Sequence, residues 1–430
     1  MVSTPEVGFG TQADQARHRP LSRVPGMDLV REYLKLGLRF DRVVQGYVDA
    51  YTGPAALRAE VADEPSPDPA DLSRQAAALS AQVADSDLAP ARIGFITAHL
   101  DALAVGGRRL AGTEMSFVDE VRSYFQVDIA PVPTDVFAAA HDEISSLLGG
   151  SGDLMGRWTA FREADTCPVE LVEKAVRGLA AALRERVAGP VGLPAAEHID
   201  FEIATDAAWS GFNYYLGSYR SRVAVNAGVG HRISQLPVLT AHECYPGHHT
   251  EHCRKEDLLI ERGGELEHSV FLVNTPQCVM AEGLGDLALA AAIGPGWATW
   301  AQQVLQGIGP AFEPELVESL EVACRPLNSV RQNAAIMLHD QGVDEAEVLD
   351  YLQRWWLVSE SRARQMLRFM SDPLWRAYTS TYVEGERLLR PWLAARPSGQ
   401  SAMHRFQRLL DEPLTPAMIR AEMAATTQTG

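Results

Sequence analysis

The run LTAHECYPGHHTEHC, residues 239–253, constrains this chain more than any other stretch. It cannot form one regular helix. Pro246 has no backbone N–H to donate and its ring crowds the preceding turn, so a kink or bulge is expected there. Gly247 adds backbone freedom at the same point. Around this break lie His242, Glu243, His248, His249, Glu251 and His252, so four of the twelve histidines fall within eleven residues. The apolar lead-in PVLTA predicts a helix that brings His242 and Glu243 in from the core side.

These residue types suit zinc hydrolysis, which needs neutral imidazole ligands, an open coordination position and a carboxylate to take the proton of water. His242 followed by Glu243 supplies a ligand and a general base. The usual second ligand is a histidine one turn later, as in H-E-x-x-H, but Pro246 stands there. A helix distorted at Pro-Gly brings His248 toward that position. In an undistorted helix His249 shares the face of His242 but sits ~10 Å along the axis, a long reach for one ion. His248 is therefore favoured, with His249 kept as the alternative. A structural zinc knot from Cys244, Cys253, His248 and His252 is disfavoured, because closed sites prefer cysteine pairs at short spacing.

A third ligand is expected from another helix. In CVMAEGLGDLALAAA, residues 278–292, Glu282 and Asp286 lie four apart on one face of an otherwise apolar helix. Buried carboxylates are costly unless paired or bound to metal. Glu282 as ligand, with Asp286 as the partner that orients a ligating histidine, meets that cost.

The rest of the sequence reads as helix. From Met27 to Tyr47 apolar residues recur at a helical period. Asp71 or Ser73 is the candidate cap of a helix after the DEPSPDPADL break, and further helices are expected on either side of Pro90, after Ser116, after Thr134 and from residue 168. Residues 199–226 differ. They are rich in β-branched and aromatic residues, and predict two or three strands with a turn near Leu216-Gly217-Ser218. The expected architecture is a mainly α, cleft-containing fold with a small β patch near 199–226. Residues 1–26 read as a loose arm, 27–424 as one helical domain (or two subdomains flanking a cleft), and 425–430 as a tail.

Bulk properties narrow the function. A net charge of −18 opposes nucleic acid and anionic membranes, and mildly favours a neutral or cationic substrate. Five cysteines without framework spacing, and no apolar signal or membrane segment, predict a cytoplasmic protein in a reducing compartment.

H-E-C-Y-P-G-H-H, followed some forty residues later by A-E-G-L-G-D, resembles the bacterial family called domain of unknown function 885, whose pattern is H-E-x-x-P-G-H-H and then E-G-W-A-x-Y-x-E. That family is placed with the H-E-x-x-H zinc metallopeptidases, alongside angiotensin-converting enzyme, thimet oligopeptidase and carboxypeptidase Taq. The likeness spans about residues 27–424 and is densest over 223–290. It includes VAVNAG at 223–228 and a distal segment in which Tyr382 and Gly385 match a Tyr-x-x-Gly. It implies a mostly helical fold with a long cleft, and a small sheet beside the metal. It also implies that Tyr382, or His339 from the distal helices, stabilises an oxyanion. Residue by residue, His339 reads equally well as a helix-terminal histidine, and Arg325 and Arg331 as surface residues or as ligands of a substrate carboxylate. Leu284 stands where the family has an aromatic, which alters the expected substrate pocket rather than the metal.

The expectation is a hydrolase holding one Zn2+ per chain on His242, His248 and Glu282, acting on short peptides or other small amides with Glu243 as base. A metal enzyme acting on a non-peptide bond is the alternative, and a non-catalytic metal-binding protein ranks below it.

Overall fold

The computed structural model describes residues 26–206 and 209–428. The arm expected over 1–26 thus falls almost wholly outside the described residues. The chain is mainly helical, with 66% of residues in helix and 8% in strand. Among the described residues no single helix is long and apolar enough to cross a membrane.

The helices begin where local chemistry starts them. Helix Pro69–Ala84 has proline in its first turn and is capped by Asp68, whose carboxylate accepts from Ala70 N at 2.8 Å. The expected caps Asp71 and Ser73 lie inside the helix instead, because proline tolerates the first turn, where its missing N–H is not needed. Ser73 donates to the Ala104 carbonyl at 2.7 Å and ties this helix to its antiparallel neighbour, Pro90–Leu110. Ser116 caps Phe117–Phe125 as expected. At the C-terminus the helix Pro416–Gln428 runs into the stretch read as a tail.

The β patch is a three-stranded sheet. Its strands are β2 (His198–Ala204), β3 (Gly211–Gly217) and β4 (Arg220–Asn226), in the order β2-β4-β3. β3 and β4 form a hairpin with Ser218 and Tyr219 at positive φ in its turn, while β2 runs parallel to β4. A second sheet was not expected. The helix from Met27 ends at Val43, and β1 (Val48–Tyr51) pairs antiparallel with β5 (Val270–Leu272). Four residues of strand are too few for a period to show, and the partner lies more than two hundred residues away.

Two apolar clusters form the interior. One gathers the N-terminal helices and Ser329–Ser371, the other the helix Val169–Val191, the three-stranded sheet and the C-terminal helices. Helix Pro276–Ala292 joins them. It gives Cys278, Val279 and Ala281 to the first and Met280, Leu284 and Leu287 to the second. Buried on both sides, it is apolar around most of its circumference, with Glu282 and Asp286 as its only acidic residues. It also crosses Thr379–Ala394 with backbones in contact. A Cβ on Gly283 would stand 2.6 Å from the Gly385 carbonyl carbon, and one on Gly385 would stand 2.6 Å from the Val279 oxygen.

That crossing sets a stability test. Gly385→Ala should destabilise by at least ~1–3 kcal/mol, because the clash is with backbone and cannot be relieved by a rotamer. Gly178→Ala, on a helix where an added Cβ meets nothing within 4 Å, should be neutral or stabilising. Urea unfolding midpoints of the two variants check this; equal midpoints would show that the crossing tolerates a methyl group.

Candidate metal centre

The histidine-rich run folds as two short helices, Leu236–Glu243 and His248–Lys255, separated by a sharp turn rather than by a kink. Cys244 leaves helical geometry with φ −113° and ψ −90°, and the Tyr245–Pro246 peptide is cis. Gly247 N donates to the Ala241 carbonyl at 2.9 Å. A Cβ at Gly247 would stand 1.9 Å from the His242 carbonyl oxygen, so only glycine lets the chain pass this close to the end of the first helix. The turn brings the rings of His242 and His248 to 4.5 Å, edge to face.

Helix Pro276–Ala292 completes the group. One ligating atom from each of His242, His248 and Glu282 lies within 4.8 Å of the others. His242 Nε2 and Glu282 Oε2 are 3.2 Å apart, yet Glu282 Oε2 is buried with no hydrogen-bond partner. Two ligands of one tetrahedral zinc at ~2.0–2.1 Å stand ~3.3 Å apart. The orphaned oxygen and its spacing from the imidazole therefore fit a metal ion better than a hydrogen bond. Gly285 makes room for the histidine, since a Cβ there would meet the His242 ring at 2.6 Å.

The surroundings orient the donors. Asp286 Oδ1 lies 3.2 Å from His242 Nδ1, leaving Nε2 for the ion. Two groups not foreseen from the sequence act in the same way. Tyr378 OH donates to Glu282 Oε1 at 2.6 Å, and Glu251 Oε2 faces His248 Nδ1 at 3.9 Å, within charge range but too long for a hydrogen bond. Tyr378 immediately precedes helix Thr379–Ala394 and reads by itself as a core aromatic, so no local signal marked it.

Electrostatics agree with a cation at this point. Burial disfavours charge on His242, but Asp286 and Glu282 outweigh it and raise its pKa well above the ordinary value. Burial also opposes charge on Glu282, but His242 and His248 hold its carboxyl below the usual range. Burial pushes Glu243 up, against the pull of the two histidines.

His242, His248, Glu243, Glu282 and Tyr382 all line a cavity of about 720 Å³. Trp209, Phe212 and Trp375 form aromatic walls, and Asp49 enters from β1. The Asp49 carboxyl is open to the cavity yet enclosed by protein, and burial pushes its pKa up to about 6. Asp49 had no marker in the sequence, because its place depends on the unforeseen β1–β5 pairing.

Two expected residues lie elsewhere. His249 is fully buried, with Nδ1 2.8 Å from Ser221 Oγ and Nε2 2.8 Å from Glu197 Oε2. It ties the second helix to the sheet and is neither a ligand nor a partner of one. His339 stacks on Phe117 at 5.3 Å and its Nε2 lies 2.7 Å from the Met370 carbonyl, so it packs between helices away from the donors. Among the described residues neither cysteine of the run joins a group able to hold a metal.

No protein-family model and no curated protein matches the chain. Among solved structures it is similar to "the crystal structure of the putative lipoprotein from Colwellia psychrerythraea", with TM-score 0.51 and 16% identity over 84% of this chain and 67% of that one. At that identity the likeness is one of fold.

The donor geometry yields a metal-binding test. His242→Ala, His248→Ala and Glu282→Ala should each remove zinc from the purified protein. His249→Ala should keep it while lowering the thermal midpoint, because it removes the buried imidazole that bridges Glu197 and Ser221. Metal analysis and thermal unfolding separate the two effects; full zinc in the first three variants would exclude this site. Zinc should also be released as pH falls, since both histidines must lose a proton to bind it and their pKa values are raised.

Proposed function

We propose that this protein is a zinc-dependent hydrolase of small amide substrates, most simply short peptides, related to the H-E-x-x-H metallopeptidases through the motif at residues 242–249 and Glu282. The observation that carries the reading is the meeting of three donors and one further carboxylate, Glu243, on the wall of a cavity large enough for a small substrate. A closed structural site has no need of the cavity or of the fourth carboxylate.

His242, His248 and Glu282 would hold the ion. A zinc ion there supplies Lewis acidity toward a carbonyl and lowers the pKa of water. The protein's own residues do the rest. Glu243 sits next to a ligand in sequence but keeps its carboxylate for proton transfer. Its raised pKa suits a group that takes a proton from water at a carboxylate oxygen and passes it to the leaving nitrogen. Tyr382, also on the cavity wall, has its pKa raised well above the ordinary value by burial, so its hydroxyl remains a donor for a developing oxyanion. Tyr378 and Asp286 position Glu282 and His242. The aromatic walls exclude water and favour apolar or aromatic side chains next to the bond.

Glu243→Gln tests the assignment, because glutamine has the same shape and leaves the donors in place. The variant should retain zinc and bind a peptide found by library screening, with kcat lower by ~10²–10⁴-fold. Loss of zinc would make Glu243 a ligand. Full zinc with full activity would remove the hydrolytic mechanism. A metal-loaded protein that cleaves no peptide in the library would point to a non-peptide bond.

A further inference from the structure

The cavity at the donors continues past Tyr382. A second cavity, of about 710 Å³, shares Gln365, Arg368 and Tyr382 with the first. Its wall is rich in arginine, and the partners of those arginines are uneven. Arg232 is paired with Asp165 at 2.7 Å, and Glu386 lies 2.5 Å from Arg390 and 3.7 Å from Arg325. Among the described residues Arg162, Arg331, Arg362 and Arg368 have no carboxylate within 4.0 Å, and the first three line the second cavity alone.

Arg331 is the nearest of these three to the metal donors. Its guanidinium lies over the rings of Tyr382 at 4.9 Å and Trp356 at 5.9 Å, and its Nε is buried without a hydrogen-bond partner. Arg362 reaches only Gln365 Oε1, at 2.6 Å, and Arg162 lies over Trp158 at 5.7 Å. The carboxylates on the same wall make no ion pair with this group, although Asp286 and Glu386 lie near enough to offset part of the burial of Arg331. Asp286 faces His242, Glu386 faces Arg390, and burial raises the pKa of Glu321. Arg331 is half-buried, whereas Arg162 and Arg362 are exposed residues on the same cavity wall. Desolvation lowers the pKa of each, and their neighbours add to it, Arg232 and Arg362 at Arg162 and Arg331 at Arg362. Like charges gathered on one cavity wall oppose one another, and the arrangement is relieved when an anion enters.

We propose that Arg162, Arg331 and Arg362 form an anion subsite of the same cleft, so that the substrate carries a carboxylate or phosphate on the Tyr382 side of the bond to be broken. The cavity at the donors itself holds Asp49 and Asp206. A short peptide has matching chemistry, with a cationic end toward Asp49 and an anionic end toward Arg331. The identity of the anion's bearer rests on the hydrolase reading; the anion subsite itself does not.

Calorimetric titration of the full chain with glutarate, and separately with inorganic phosphate, tests this. Saturable binding of one probe is expected in the wild type and in metal-free His242→Ala, and the probe that binds tells carboxylate from phosphate. Arg331→Gln and Arg162→Gln should each weaken it at least tenfold, with Arg331→Lys intermediate. Thermal midpoints of the glutamine variants should hold or rise, since mutual repulsion is removed, whereas a merely structural arginine would lower them. Absence of binding in the wild type, or unchanged binding in both glutamine variants, overturns the subsite. Binding lost in His242→Ala but kept in the arginine variants would place the anion on the metal; the subsite then fails and the hydrolase reading stands. Anion binding that depends on the arginines, in a protein that takes up no zinc, would support the subsite and remove the hydrolase reading.

Discussion

The approach of Gly247 to the carbonyl of His242 is the contact on which the candidate centre depends. An ordinary helix through this segment would carry His248 away from His242 at ~1.5 Å per residue. The first helix instead stops at Glu243, the chain turns through Cys244–Gly247, and a second helix starts at His248. Space for the turn exists because position 247 has no Cβ. The same economy of volume recurs beside it. Gly285 admits the His242 ring, and the Gly283–Gly385 crossing sets how close Tyr378 and Tyr382 come to Glu282. The donors are thus held by close-packed backbone on both sides, which keeps them on regular elements rather than on loops.

Charge balance explains why so many polar groups sit in an apolar interior. Glu282 and Glu243 are 6% and 7% exposed, a burial that isolated carboxylates would not sustain. Each histidine is flanked by acid, His242 by Asp286 and His248 by Glu251. The local excess of negative charge suits a dication, and Tyr378 satisfies the carboxylate oxygen that faces away from the proposed ion. Beyond Tyr382 the sign of the wall reverses. A net charge of −18 describes the outer surface and long-range steering, while recognition inside the cleft follows the few groups that face it.

Much of this was legible because the relevant signals are local. Pro246-Gly247 announced a break, and lone carboxylates in an apolar helix announced compensation, so His242, His248, Glu282 and Asp286 could be named from spacing and chemistry. The break proved to be a tight turn between two separate helices, since residue type reveals where a helix is interrupted but not how the chain then bends. His249 was open for the same reason: only the approach of Glu197 and Ser221 shows that its ring is already engaged. His339 illustrates the reverse failure. A histidine at a helix end near a distal motif has the composition of a catalytic group, and its contact with the Met370 carbonyl is a fact of packing.

By itself, the sequence determined the helical class and a small β patch over about 199–226, and it named the residues that meet in the candidate donor group, because helical period, proline and glycine breaks and ligand chemistry act over a few neighbouring residues. The tertiary structure alone decided the rest. It brought Asp49 to the cavity through a strand pairing between residues 48–51 and 270–272, set Tyr378 against Glu282, and joined the arginine-lined space to the cavity at the candidate donors through Tyr382. These contacts lie between segments far apart in the chain, where no short-range period or propensity operates and only the burial of shared surface selects the partner.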